Sequence, residues 1–211
     1  NSNDKVLVSD AFGNINYREA STLGGGGSFY SCCNTICDSY VSNIIGGCYN
    51  SICCAEEGTI IGGHNNCLCC VELGATIIGG HGNTIACFAD TSGIFVGQDN
   101  TICGEENYYS AIVGGTNNLL SYGNYNSVIL GGYSNCVCDY SSDSVISAGC
   151  RNYICNSDRS SIIAGRCNTI CCYSEDSTIM GGCHNVIDNS ERATVVGGGW
   201  NLICQNSDRA G

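Results

Sequence analysis

Apolar residues recur at fixed distances from an asparagine that repeats along almost the whole chain. The asparagines are Asn34, Asn50, Asn66, Asn83, Asn100, Asn118, Asn135, Asn152, Asn168, Asn185 and Asn201, spaced 16, 16, 17, 17, 18, 17, 17, 16, 17 and 16 residues apart. Six residues before the asparagine stand Ile44, Ile60, Ile77, Ile94, Ile112, Ile129, Ile146, Ile162, Ile179 and Val195, all β-branched. The residue after each of these is Ile45, Ile61, Ile78, Phe95, Val113, Leu130, Ser147, Ile163, Met180 or Val196. Two residues after the asparagine come Ile36, Ile52, Leu68, Ile85, Ile102, Leu120, Val137, Ile154, Ile170, Ile187 and Ile203. Three before it is always glycine from the second copy on: Gly47, Gly63, Gly80, Gly97, Gly115, Gly132, Gly149, Gly165, Gly182 and Gly198.

So short and steady a period describes one unit stacked many times. Two short strands per unit, separated by a Gly-x-x-Asn turn, predict an all-β chain. The expected architecture is a parallel β-solenoid, a β-roll or β-helix, of about eleven coils of 16–18 residues; helical solenoids need units of about 30 residues or more. Glycine supplies the positive φ of a tight corner. Asparagine tolerates the left-handed region, can bond its own backbone and, stacked on its copies, can form an amide ladder.

The paired apolar residues carry a second implication. Neighbours on a strand face opposite sides, so one column fills the coil and the other points outward. An apolar stripe that long needs a cover, and three chains around one axis would bury it symmetrically. Ahead of the array, residues 1–27 differ. Lys5-Val-Leu-Val-Ser-Asp-Ala-Phe-Gly-Asn-Ile-Asn-Tyr17 predicts a β-hairpin, and Gly24, Gly25, Gly26 and Gly27 a flexible joint. The array occupies 28–211. Its last copy, Trp200-Asn-Leu-Ile-Cys204, is as regular as the middle ones. Continuation in a longer parent chain, or by head-to-tail polymerisation, is therefore expected, and the start at Asn rather than Met points to a processed or partial chain.

Composition narrows the partners. With 19 acidic against 7 basic residues and a formal charge of −12, nucleic acid and anionic membrane surfaces are disfavoured. The apolar runs are too short for a membrane-spanning helix, so no membrane insertion is expected. There is no proline to interrupt a hydrogen-bond ladder. Twenty cysteines in 211 residues fit an oxidising, extracellular setting and a disulfide framework.

The repeats resemble the heads and stalks of trimeric autotransporter adhesins, and related trimeric fibre shafts of bacteriophages and large viruses. There, units of the type Ser-x-Ile-x-Gly-Gly-x-x-Asn-x-Ile wind into left-handed parallel β-rolls, three chains per fibre. The resemblance covers residues 28–211. The segment from Lys5 to Tyr17 is similar to the V-L-x-S-D-x-x-G-N-x-x-W stretch before such shafts, with Tyr17 where Trp is usual. The resemblance implies a homotrimeric structural fibre, extracellular, on a cell surface or on a virion. The alternative it carries is an adhesin that binds a cell-surface receptor or glycan. The cysteine content departs from those families and points to a filament hardened by cross-links.

The cysteines fall in columns of their own. Three residues after the asparagine stand Cys37, Cys53, Cys69, Cys103, Cys138, Cys155, Cys171 and Cys204, and one further on Cys54, Cys70, Cys87 and Cys172. Vertical neighbours such as Cys53 and Cys69 are within disulfide reach at a coil spacing of about 4.8 Å, although parallel Cβ vectors would strain the bridge. In a trimer, doublets such as Cys53-Cys54, Cys69-Cys70 or Cys171-Cys172 could close a ring of three bridges between chains. Bridges within a coil or between neighbouring coils of one chain, Cys150 with Cys155 for example, are the equal alternative.

Other chemistry is weaker. Cys48, His64 and His81 share a column, but a vertical line of ligands does not converge on an ion, and no metal or other cofactor is expected. No catalytic signature surrounds any Ser, Cys or His, and the glycine pairs open no phosphate loop, so the chain is read as a non-enzyme. The acidic loops at Glu56-Glu57, Glu105-Glu106 and Glu175-Asp176 are read as solvated surface rather than calcium sites. Thr59, Thr76, Thr178 and Thr194 are read as a column broken by Asn43, Gly93, Ala111, Ser127, Ser144 and Ser161, too irregular for an ice-binding face. The loop tyrosines, among them Tyr108, Tyr109, Tyr122, Tyr125, Tyr140 and Tyr173, are read first as covers for the strands below them, and second as glycan contacts.

Overall fold

The computed structural model describes the backbone of residues 5–9 and 15–19 and all atoms of residues 33–105 and 107–204. β1 (Lys5–Ser9) pairs antiparallel with β2 (Ile15–Glu19), Lys5 opposite Glu19 and Ser9 opposite Ile15, which is the expected hairpin. Its turn, the Gly24 to Gly27 joint and Cys32 lie outside the described residues.

The array is a parallel β-solenoid of about ten turns. One sheet has 10 strands, from Asn43–Ile45 to Thr194–Val195; the other has 11, from Thr35–Cys37 to Leu202–Cys204. Strands pair in register, coil on coil, as in Ile129 beside Ile146 and Val137 beside Ile154. At the strand spacing the stack is about 50 Å tall. Among the described residues no helix is long and apolar enough to cross a membrane.

Alternation decides what fills the coil. In Thr101–Cys103 the middle residue, Ile102, is buried and its neighbours are half-exposed. From Ile52 to Ile187, both inward columns are fully buried. Each such Ile contributes roughly 1.5–3 kcal/mol, and stacking like on like keeps the interior filled along the array.

The corners were only partly legible. The residue just before each asparagine, not the asparagine itself, is left-handed: Tyr49, Asn65, Asp99, Asn117, Ser134, Arg151, Cys167 and His184 all have φ between 52 and 58°. The asparagine side chain turns inward instead. In the coil of Asn152 the backbone N–H donates to Asn135 Oδ1 at 3.0 Å. Its side-chain amide donates to the carbonyls of Ala148 (3.1 Å) and of Gly165 in the next coil (3.2 Å). The amide ladder therefore exists, but it fixes the coil below a corner that its neighbour makes. Each coil has further left-handed residues; around Asn168 these are Arg159, Gly165, Cys167 and Cys172, with φ of 52, 101, 54 and 59°.

The glycine three before the asparagine is required by more than φ. A Cβ on Gly132 would strike the carbonyl of Gly149 and come within 2.5 Å of Asn135 Nδ2. The next coil's backbone occupies the space a side chain would need.

A second buried ladder was not foreseen. Ser92, Ser110, Ser127, Ser144, Ser160 and Ser177 form one inward column, and each hydroxyl accepts the N–H of the coil above: Ser144 N to Ser127 Oγ is 3.2 Å and Ser160 N to Ser144 Oγ 3.1 Å. This corrects the threonine column. Ser127 and Ser144 belong to the buried ladder, and the outward row runs Ala111, Val128, Val145, Ser161, Thr178, Thr194.

Candidate functional site

A solenoid presents repeated surfaces, and two of them carry chemistry. The first is the outward apolar column. Leu130 is 49% exposed, Ile163 46% and Met180 49%, in line with the exposed Ile45, Ile61, Phe95, Val113 and Val196. Beside it the next residue in each coil is small, Gly46, Gly62, Gly79, Gly114, Gly131, Ala148, Ala164, Gly181 or Gly197, except at Val96. Space for a Cβ is open at Gly62, Gly79, Gly131, Gly181 and Gly197. An apolar ridge thus runs along a groove of bare backbone.

The second surface is a face of thiols. Strand pairing places Cys37, Cys53 and Cys69 in one vertical line, and Cys138, Cys155 and Cys171 in another. Cys103 and Cys204 stand in the same column, beside Ser121 and Asp188 respectively. The left-handed residue that follows swings its side chain back to its neighbour's side. Cys54 and Cys70 have φ of 51 and 54°, and their sulfurs lie 3.7 Å from Cys53 Sγ and 3.5 Å from Cys69 Sγ. Cys87 and Cys172 occupy the equivalent corner. Among the described residues no disulfide joins two cysteines. Cys150 sits in a different column, bridged to Tyr133 and Arg166, so Cys155 faces Cys138 and Cys171.

Two places on this face gather three ligand atoms each within 4.8 Å of one another: Cys138, Asp139 and Cys155, and Cys171, Cys172 and Asp188. Cys138 Sγ donates to Tyr153 Oη at 3.1 Å and Cys155 Sγ to Asp139 Oδ2 at 3.4 Å. Cys171 Sγ lies 3.8 Å from Asp188 Oδ1. Burial, then the neighbouring groups, pushes the Cys155 and Cys171 thiols up to about 12. Hydrogen bonding with Cys70 does the same for Cys69, also to about 12. The Cys136 thiol pushes Cys138 up as well.

Periodicity alone points to ligands in vertical lines and so does not reveal these triads. The signal was the Asp or Cys immediately after the column cysteine, which becomes informative once that position is known to be left-handed. The histidine column is as expected: Cys48, His64, His81 and Gln98 are bridged in order. The rings of His64 and His81 stack 5.1 Å apart and 4° from parallel, so their nitrogens do not converge.

Of the acidic loops, Glu106 lies outside the described residues. Asp176 is held by Arg159, whose Nε lies 2.7 Å from its Oδ1. A shallow hollow is lined by Glu72, Phe88, Asp90, Glu105 and Tyr108. Asp90 there accepts the backbone N–H groups of Glu72 (2.7 Å) and Leu73 (3.1 Å). Tyr122 and Tyr140 rings lie over Gly104 and Gly123 of the coil before, as covers, and still expose more than half their surface. No protein-family model matches the chain, and no curated protein sequence matches it.

Proposed function

We propose that the chain is a structural fibre shaft, extracellular or virion-borne, that assembles with copies of itself, three chains around one axis. The observation that supports this most directly is the outward apolar ridge, broken only at Ser147 in its column, on a rod whose other two aliphatic columns are buried. A monomer leaves it in water, and contiguous apolar surface of that extent marks an interaction site. A parallel copy carries the same ridge at the same coil spacing, and the glycine groove beside it lets a second backbone approach closely. The thiol face adds a means of cross-linking, with the exposed doublets Cys53-Cys54 and Cys69-Cys70 as the groups nearest to hand. No catalytic residue is assigned in this reading.

The test is the mass of the reduced and unreduced chain. Sedimentation is expected to give a trimer of the 22.0 kDa chain. Replacing Phe95, Leu130 and Ile163 together by Ser should give a monomer with an unchanged β-sheet spectrum. A band of trimer size that survives boiling and collapses only with reductant would add covalent stapling. A wild-type chain that stays monomeric at tens of micromolar, with or without reductant, overturns the reading.

A second reading, attachment to a surface receptor or glycan, draws on the exposed Tyr109, Tyr122, Tyr140 and Tyr173. Their replacement by Ser should abolish retention on immobilised glycans without changing the oligomeric mass.

A further inference from the structure

We propose that the triads Cys138–Asp139–Cys155 and Cys171–Cys172–Asp188 are binding sites for a thiophilic divalent cation of the zinc class. Both sites are the same piece of architecture. Each uses the third and fourth residues after one asparagine and the third residue after the next. The fourth residue is left-handed in both, Asp139 at φ 51° and Cys172 at φ 59°. This bends its side chain onto the ligand before it, while strand stacking brings up the ligand from the coil above. Two residues adjacent in sequence and one a full coil away therefore share one spot, which a flat β-surface would not allow.

Composition points the same way. The carboxylate is at the second position in one site and at the third in the other, yet each holds two sulfurs and one oxygen. Zinc takes thiolate at about 2.3 Å and carboxylate at about 2.0–2.2 Å, so the sulfur–oxygen edge of its tetrahedron is about 3.5 Å and the sulfur–sulfur edge about 3.8 Å. The sulfur–oxygen separations found are 3.4 Å and 3.8 Å. A sulfur and an oxygen already near that separation need little rearrangement. Calcium and magnesium ask for all-oxygen shells, and copper(I) for sulfur alone; two thiolates with one carboxylate suit zinc. The fourth position is left to water, or at the first site to Cys136, which hydrogen-bonds with Cys138.

Binding one cation releases two thiol protons to solvent and leaves two thiolates and one carboxylate on the ion. No electron transfer is involved. The carboxylate also separates this role from cross-linking. A disulfide has no use for it, and an adjacent anion holds the thiol protonated, whereas a cation recruits both. The inference stands whether or not the chain trimerises.

The experiment is a cobalt(II) titration of the reduced full-length chain without oxygen, read by sulfur-to-metal charge transfer and the visible bands of tetrahedral cobalt. Zinc should displace the cobalt. Asp139→Asn with Cys155→Ser should remove one bound equivalent, and Cys171→Ser with Asp188→Asn another, with far-ultraviolet circular dichroism unchanged. Should a double variant fail to fold, the single Asp139→Asn and Asp188→Asn variants decide. Their side chains bear no rung of the buried ladders, and each should weaken its site at least about tenfold, since even outer-sphere partners of a metal are worth that much. Absence of the charge-transfer band overturns the proposal. So does a wild-type stoichiometry in both double variants, an unchanged affinity in both single variants, or recovery of Cys138–Cys155 as a disulfide in a chain that takes up no metal.

Discussion

At the residue scale, Asn135 shows how much rests on one side chain per coil. Its Oδ1 accepts the backbone N–H of Asn152, and its amide donates to the carbonyls of Gly131 and Gly149, at 3.0 and 3.1 Å. The Asn152 donor is buried, so Asn135→Ala strands it, while the half-exposed Gly131 carbonyl loses its partner and the Gly149 carbonyl keeps the Tyr133 N–H. An unpaired buried polar group costs about 1–3 kcal/mol. The variant should lose about 1–3 kcal/mol, read as a lower midpoint in urea with the slope preserved. A change below about 0.5 kcal/mol would mean that water replaces the amide. The sequence announced this asparagine by its period but not which residue between the glycine and the asparagine is left-handed. A left-handed conformation at Tyr49, Arg151 or His184 has no compositional signature, because the coil geometry imposes it on whatever residue falls there.

At the scale of the strand, the adjacent pair Ile129 and Leu130 separates the two apolar columns. Ile129 is wholly buried between Ile112 and Ile146, and Leu130 is about half exposed. Ile129→Ala should cost about 2–5 kcal/mol through lost burial and a cavity. Leu130→Ala should leave the stability of the monomer within about 0.5 kcal/mol and act on assembly instead. Thermal melts of both variants under monomeric and associating conditions distinguish the two. Equal losses in the monomer would mean that the ridge packs within one chain. The pairing of inward and outward residues was readable from alternation alone. The serine ladder was not: Ser110, Ser127, Ser144, Ser160 and Ser177 recur in variable-length loops, where serine reads as solvated turn rather than as an inward column.

At the scale of the whole molecule, the thiol face sets an alkaline limit. Cys69, Cys155 and Cys171 are raised from 9.0 to about 12 in the folded chain. Below pH 9 both states carry the protonated thiol, and the contribution to stability is fully present. As the pH rises toward 12 the unfolded chain ionises first, and that stability is lost. The urea midpoint of the reduced, metal-free protein should therefore fall between about pH 9 and 12. The triple Cys→Ser variant at these positions should show a shallower fall; an identical fall would assign it to other groups. The same thiols, protonated when the face is empty, are the ones a cation would have to deprotonate, so metal should bind more tightly as the pH rises.

The period, the two strands per coil, the glycine corners, the inward and outward columns and the hairpin ahead of them are all written in the order of residues. These follow from local rules, side-chain alternation and backbone freedom, repeated often enough to be unmistakable. Which residues meet depends on how the coils stack. Cys171 and Cys172 share a spot with Asp188, and Cys138 and Asp139 with Cys155, because a left-handed residue folds one side chain back while coil stacking supplies the third. Neither effect has a residue type of its own, so the triads emerge only when the corner and the register are known together.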